Sequence, residues 1–172
     1  ALPFARCAFR GGLFLFHQRQ LFLSRAFDHV VLPVADLAIA RARYEALGFT
    51  VAPDGIHPFG TANCCIFFQS GGFLEPLTLA DEALCDDVLA DGRNSAFVRD
   101  HRDFTADNPG DGFSHLVLKS PDADGDFKAF SKHRILAGTT SFERMAHNSA
   151  GDAQKVAFDL TFARDLQSPH AK

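Results

Sequence analysis

The sequence predicts an α+β fold built from two related βαβββ modules, the second lacking its last strand. Three observations carry this. Apolar patterns of strand and helix period follow one another in the order β, α, β, β, β and later β, α, β, β. A linker signal, Thr105 to Gly112 (TADNPGDG), separates the two runs. The phrase FDHVVL around His29 returns as FSHLVL around His115, 86 positions on, which marks an internal repeat. The boundaries that follow are 1–26 for an N-terminal extension, 27–78 for the first module, 79–112 for a helical connector and linker, and 113–172 for the second, incomplete module.

Each element has its own signal. Phe27 to Val34 reads as a buried strand. Asp36 suits an N-cap, Leu37, Ala40, Tyr44 and Leu47 share one helical stripe, and Gly48 ends the helix. Phe49 to Ala52 reads as a short strand, and Pro53 to Gly60 as a loop carrying His57. Ala62 to Gln69 is a strand that turns through Ser70-Gly71-Gly72 into Phe73 to Thr78. Leu79 to Leu89 and Asn94 to Asp103 read as helices with charged outer faces. In the second module Phe113 to Lys119 is a strand, and Pro121 opens a helix to about Arg134 with Phe127 and Phe130 inward. Thr139 to Met145 and Lys155 to Ala163 complete it as strands. Asp122 and Asp124 belong to a helix start.

Composition narrows the function classes. The chain has 172 residues, 47% hydrophobic and 22% charged, enough to bury a core. Nineteen Phe stand beside one Tyr and no Trp, so most aromatic rings bring area without a polar handle and belong inside. A net charge of −4 argues against a nucleic-acid partner. No apolar run is long enough to span a bilayer, so a membrane partner is not expected. Cys7, Cys64, Cys65 and Cys85 lack metal spacing and read as reduced thiols of a cytoplasmic protein. Cys64 and Cys65 are adjacent on a strand and therefore face opposite ways.

The first 25 residues carry Arg6, Arg10, Arg19 and Arg25 and no acidic residue before Asp28. A transit peptide, an upstream extension and a strand all suit such a start. Gly11-Gly12 followed by Leu13 to Phe16 favours the strand. Residues 12–18 would then pair near Val156 to Phe162, with His17 or Gln18 reaching the site.

The phrases FDHVVLPVADL, ALGF, HPFGTAN and FLEPL together resemble the glyoxalase-like branch of the vicinal oxygen chelate superfamily, strongly over Phe27 to Leu77 and more loosely over Phe113 to Arg164. The resemblance implies that the two modules pair into a cup-shaped mixed sheet that holds a small molecule, often with a divalent metal (Zn, Fe, Ni or Mn). It places metal ligands at His29 and His115 on first strands and at Glu75 on the last strand of module one. A fourth ligand would fall on a strand after Pro169, which the second module lacks.

Strand parity supports a shared site. Phe27, His29 and Val31 share a face, as do Phe73, Glu75 and Leu77, and Phe113, His115 and Val117. A polar residue between apolar neighbours on one face needs a partner. His29 alone reads equally as a core histidine, and recurrence at His115 brings the ligand reading level with it. Glu75 is ligand, catalytic base or half of a salt bridge. His57, Thr61 and Asn63, around the HPFGTAN turn, read as substrate contacts or as turn chemistry.

Two function classes remain in view. One is a metal-dependent lyase, isomerase or ring-cleaving dioxygenase acting on vicinal oxygens, with Glu75 as ligand or base. The other is a drug-sequestering type of binding protein with the same cup, as in bleomycin resistance. Its partner would be a small molecule, and a homodimer suits either class.

Overall fold

The computed structural model describes residues 25–108, 110–147 and 151–164. Module one runs β1 (Phe27–Pro33), α1 (Leu37–Ala46), β2 (Gly55–Ile56), β3 (Thr61–Asn63), β4 (Ile66–Phe67) and β5 (Phe73–Leu79). The connector is α2 (Glu82–Asp91) and α3 (Ser95–Asp107). Module two runs β6 (His115–Leu118), α4 (Ala123–His133), β7 (Leu136–His147) and β8 (Ala153–Ala163). The strand expected at Leu13 to Phe16 and the segment after Pro169 lie outside the described residues.

Helix starts follow the sequence signals. The carboxylates of Asp36, Asp81 and Asp122 accept from the backbone N–H groups of Ile39, Leu84 and Gly125. Each thereby satisfies one donor that the first helical turn leaves free.

A six-stranded sheet has the order β2-β3-β5-β1-β6, with β4 also on β5. β1 pairs β5 in parallel and β6 antiparallel. The two modules therefore meet along their first strands, His29 beside Val117 and Val31 beside His115. β7 and β8 form a separate long hairpin. Module one owes its continuity to β5, which bridges β1 and β3. Among the described residues module two has no counterpart to bridge β6 and β7.

Two strands depart from expectation. Phe49 to Ala52 forms no strand and keeps one bond to the sheet region, Ala52 N to Cys65 O at 2.8 Å. Pro53 follows with no N–H to extend a ladder. The strand expected over Ala62 to Gln69 is divided into β3 and β4. Its break at Cys64-Cys65 lies opposite Glu75-Pro76, and Pro76 has no donor to give. The register stays in step across the break, Asn63 beside Leu77 and Ile66 beside Leu74.

One face of this sheet carries three rows of side chains. The first is Phe67, Phe73, His29 and Val117; the second holds Glu75, Val31 and His115; the third holds Asn63, Leu77 and Pro33. Val31 and Leu77 join Phe59, Cys85, Phe97 and Val98 in the core, flanked by Phe142, Leu160 and Phe162 of the hairpin. Phe59 stands 4.9 Å from Phe97 and 5.0 Å from Phe142, centroid to centroid. α3 and the hairpin thus cover the far part of the cup with phenylalanine, where the rings lose water without stranding a polar atom.

Candidate functional site

Glu75 is the hub. It sits mid-strand on β5, its side chain 8% exposed, where an unpartnered carboxylate would cost several kcal/mol. Two neighbours compensate it. His29 Nε2 stands 3.1 Å from Glu75 Oε2. Asn63 Nδ2 donates to Glu75 Oε1 at 2.6 Å. Burial pushes the Glu75 pKa up, but the His29 hydrogen bond and charge outweigh it and the carboxyl titrates below its ordinary value. Burial would likewise lower His29, and Glu75 and Asp28 reverse this and hold it above its ordinary value. Both His29 ring nitrogens thus face carboxylate oxygens, an arrangement that favours the imidazolium beside an ionised Glu75.

Asp28 completes a chain that strand parity does not foresee. Its Oδ2 meets His29 Nδ1 at 2.9 Å. Adjacent strand residues point to opposite faces, but the pairing of β1 with β6 slips between Phe27 and His29, which lets Asp28 reach round. Lys119 Nζ lies 3.6 Å from the other Asp28 oxygen.

His57 stands behind Glu75 and stays neutral. Burial lowers its pKa to about 4. Asn63 Nδ2 approaches His57 Nε2 at 3.3 Å, so Nε2 is the acceptor and Nδ1–H donates to Thr61 Oγ1 at 2.8 Å. His57 stacks on Phe59 with centroids 5.1 Å apart. His57, Thr61 and Asn63 are all buried. Two glycines allow this packing. A Cβ on Gly55 would come 2.5 Å from Asn63 Oδ1. Gly60 has φ +91°, and a Cβ there would meet Asp81 O at 2.6 Å and Cys85 Sγ at 2.7 Å.

The structure brings His29, Glu75, Asn63, His57 and Thr61 into one network and leaves His115 to another. His115 Nε2 faces Asp100 Oδ2 at 3.4 Å, and its Nδ1 meets Ser114 Oγ at 2.9 Å. Asp100 also binds Arg164 at 2.5 Å, which ties α3 to the end of β8. Asp28, Asp100 and Arg164 carried no periodic signal in the sequence. Cys64 and Cys65 lie in the break between β3 and β4 rather than on a strand; Cys64 has Arg41 of α1 beside it, and Cys65 has Glu75, with burial pushing the Cys65 thiol up to about 12.

The sequence model of the glyoxalase-like domain family matches residues 27–172, and the chain belongs to that family, within the vicinal oxygen chelate superfamily. No curated protein matches the chain. Among solved structures it is similar to methylmalonyl-CoA epimerase from Mycobacterium tuberculosis, at 16% identity over 83% of this chain and 91% of that one, with a TM-score of 0.47. A Streptomyces coelicolor methylmalonyl-CoA epimerase in complex with 2-nitronate-propionyl-CoA gives 18%, 78%, 89% and 0.45 in the same order. A hypothetical protein from Bacillus halodurans C-125 gives 12%, 83%, 96% and 0.48. Among the described residues no helix is long and apolar enough to cross a membrane.

Members of the superfamily often use a divalent metal, a role that asks for several converging donors. His29 Nε2 and Glu75 Oε2, 3.1 Å apart, have the spacing of two adjacent ligands bound at about 2.1 Å. His57 Nε2, 4.0 Å from Glu75 Oε1, already accepts from Asn63 Nδ2, and among the described residues no group of three or more His, Cys, Asp or Glu is placed to hold an ion. His115 is turned to Asp100. The described residues as arranged do not by themselves fit a resident divalent ion, and no chemical step is assigned to one.

Proposed function

We propose that this glyoxalase-like protein takes a small molecule with vicinal oxygens beside His29 and moves a proton on it. The observation that carries this reading is the buried His29–Glu75 ion pair, 3.1 Å apart, on the sheet face that also carries the exposed Phe67. A buried pair is weak as a stabilising device, because desolvation offsets the attraction. It is well suited to proton transfer, because a carbonyl oxygen entering between the partners accepts from His29 Nε2–H and frees Glu75 Oε2. The carboxylate then takes the proton from the adjacent carbon, and His29 stabilises the enolate oxygen that forms. Return of the proton to the same carbon gives exchange with solvent, and return to the neighbouring carbon, as the hydroxyl proton passes to the enolate oxygen, gives an isomerisation. Asp28 holds the His29 ring, and Asn63 orients Glu75, itself set by His57 and Thr61. These roles keep Glu75 as the catalytic group and make His57, Thr61 and Asn63 supports for it.

The test is deuterium uptake from heavy water into hydroxyacetone, lactaldehyde and α-hydroxyacetophenone, followed by proton NMR. Wild type accelerates uptake into one of them, and Glu75→Gln lowers the rate at least about 100-fold, the usual worth of a general base. Binding without accelerated exchange supports the second reading, a small-molecule binding protein, which the phenylalanine-rich interior favours. Neither binding nor exchange overturns both.

A further inference from the structure

The half of the cup that α3 and the hairpin leave uncovered is a run of rings that ends on His29. Phe67, Phe73 and His29 are register partners on adjacent strands and share a face. Phe67 stands 5.1 Å from Phe73, tilted by 44°. Phe73 stands 4.2 Å from His29, stacked within 17°. The burial changes along the row. Phe67 is 64% exposed on β4, although its neighbour Ile66 is fully buried on the opposite face. Phe73 is half-buried. The His29 side chain, at the inner end, is 13% exposed.

A single exposed phenylalanine is ordinary on a protein surface. This one differs by position: its ring continues a stack that terminates on the group assigned to hold the reacting oxygen. A ring laid along Phe67 and Phe73 would gain offset or edge contacts with both, and its substituent would reach His29. An aliphatic substrate of the same oxygen pattern would leave Phe67 in water.

We propose that the Phe67–Phe73 shelf selects a substrate that carries an aromatic ring next to its paired oxygens, with Phe67 as the specificity-determining residue. This rests on the reading of His29 and Glu75 as the oxygen-handling pair, and it names the substrate class for that same site.

The test compares α-hydroxyacetophenone with hydroxyacetone, which present the same oxygens with and without a ring. Affinities are measured on the full chain by ligand-observed NMR for wild type, Phe67→Ala and Ile39→Ala. Ile39 is a comparably exposed apolar residue on α1, so it controls for general surface hydrophobicity. The expected result is a preference for the ring compound of roughly tenfold in wild type, lost in Phe67→Ala and kept in Ile39→Ala. Because Phe67 is exposed, its replacement leaves the fold intact, which the thermal midpoint checks.

Equal affinity for the two compounds in wild type overturns the shelf but leaves the oxygen-handling pair standing. An undiminished preference in Phe67→Ala overturns it too. Failure of both compounds to bind overturns the shelf and the function reading together.

Discussion

The two modules share a strand phrase and a helix, yet their described strands are joined differently. Module one closes on itself, because β5 lies between β1 and β3 and carries Glu75 into the cup. Module two contributes β6 to that sheet and leaves its hairpin as a separate ribbon. The ribbon is held from the side, by aromatic packing on Phe59 and Phe97 and by polar ties to α3. The difference shows what β5 does in module one. It makes the sheet continuous, and it also decides which first-strand histidine has a carboxylate facing it. His29 has Glu75 from its own module, whereas His115 takes Asp100 from the connector.

The comparison breaks most readily at Phe59, 1% exposed and in contact with both Phe97 and Phe142. Phe59→Ala should lower stability by about 3–5 kcal/mol and loosen the hairpin from module one. Urea unfolding measures the first effect, and loss of amide protection in β7 and β8 the second.

Acid should separate the modules next. His57 is buried neutral, its pKa lowered to about 4. The unfolded chain takes up this proton near pH 6.5 and the folded chain only near 4, so stability falls as pH drops through that window. The loss is on the order of 3 kcal/mol. His57→Gln should remove this part of the pH dependence in a urea-unfolding series from pH 7 to 4. The His29–Glu75 pair has other limits. Glu75, depressed, contributes above about pH 4.5 and less as pH falls through its folded value. His29, raised, contributes fully below about pH 6.5 and less as pH rises through its folded value.

Removal of the Glu75 charge sharpens the contrast between the two histidines. Glu75→Gln should bring the His29 pKa down toward or below its ordinary value, as NMR titration of that ring would report. Expected last is the effect at the hairpin tie. Arg164→Ala removes the ion pair with Asp100 and should cost roughly 1 kcal/mol, given that the arginine is partly exposed. Amide exchange should rise at the end of β8 while β1 and β5 keep their protection.

Much of module one was legible from the sequence. The alternation around His29 and Glu75 placed both on one face, and the Asp36 cap and Gly48 stop framed α1. Pro76 hid the division of one strand into β3 and β4, since its missing donor matters only once the partner strand is known. Asp28 was invisible as a partner of His29, because a slip in pairing with β6 turns it toward a face that parity denies it. Asp100 meets His115, and Arg164 meets Asp100, across separations that no local pattern encodes.

What the sequence determined by itself was local and periodic: two related modules, their helices, and the alignment of His29, Glu75 and His115 on inward faces. Those follow from side-chain period, caps and repeated phrases, all read within a few residues. The tertiary structure decided the rest. It gave Glu75 to His29 and Asn63 and turned His115 to Asp100. It filled one half of the cup with Phe59, Phe97 and Phe142 and left Phe67 and Phe73 open beside His29. Those outcomes depend on strand order and on which elements cover which rows, and both arise only when distant segments pack together.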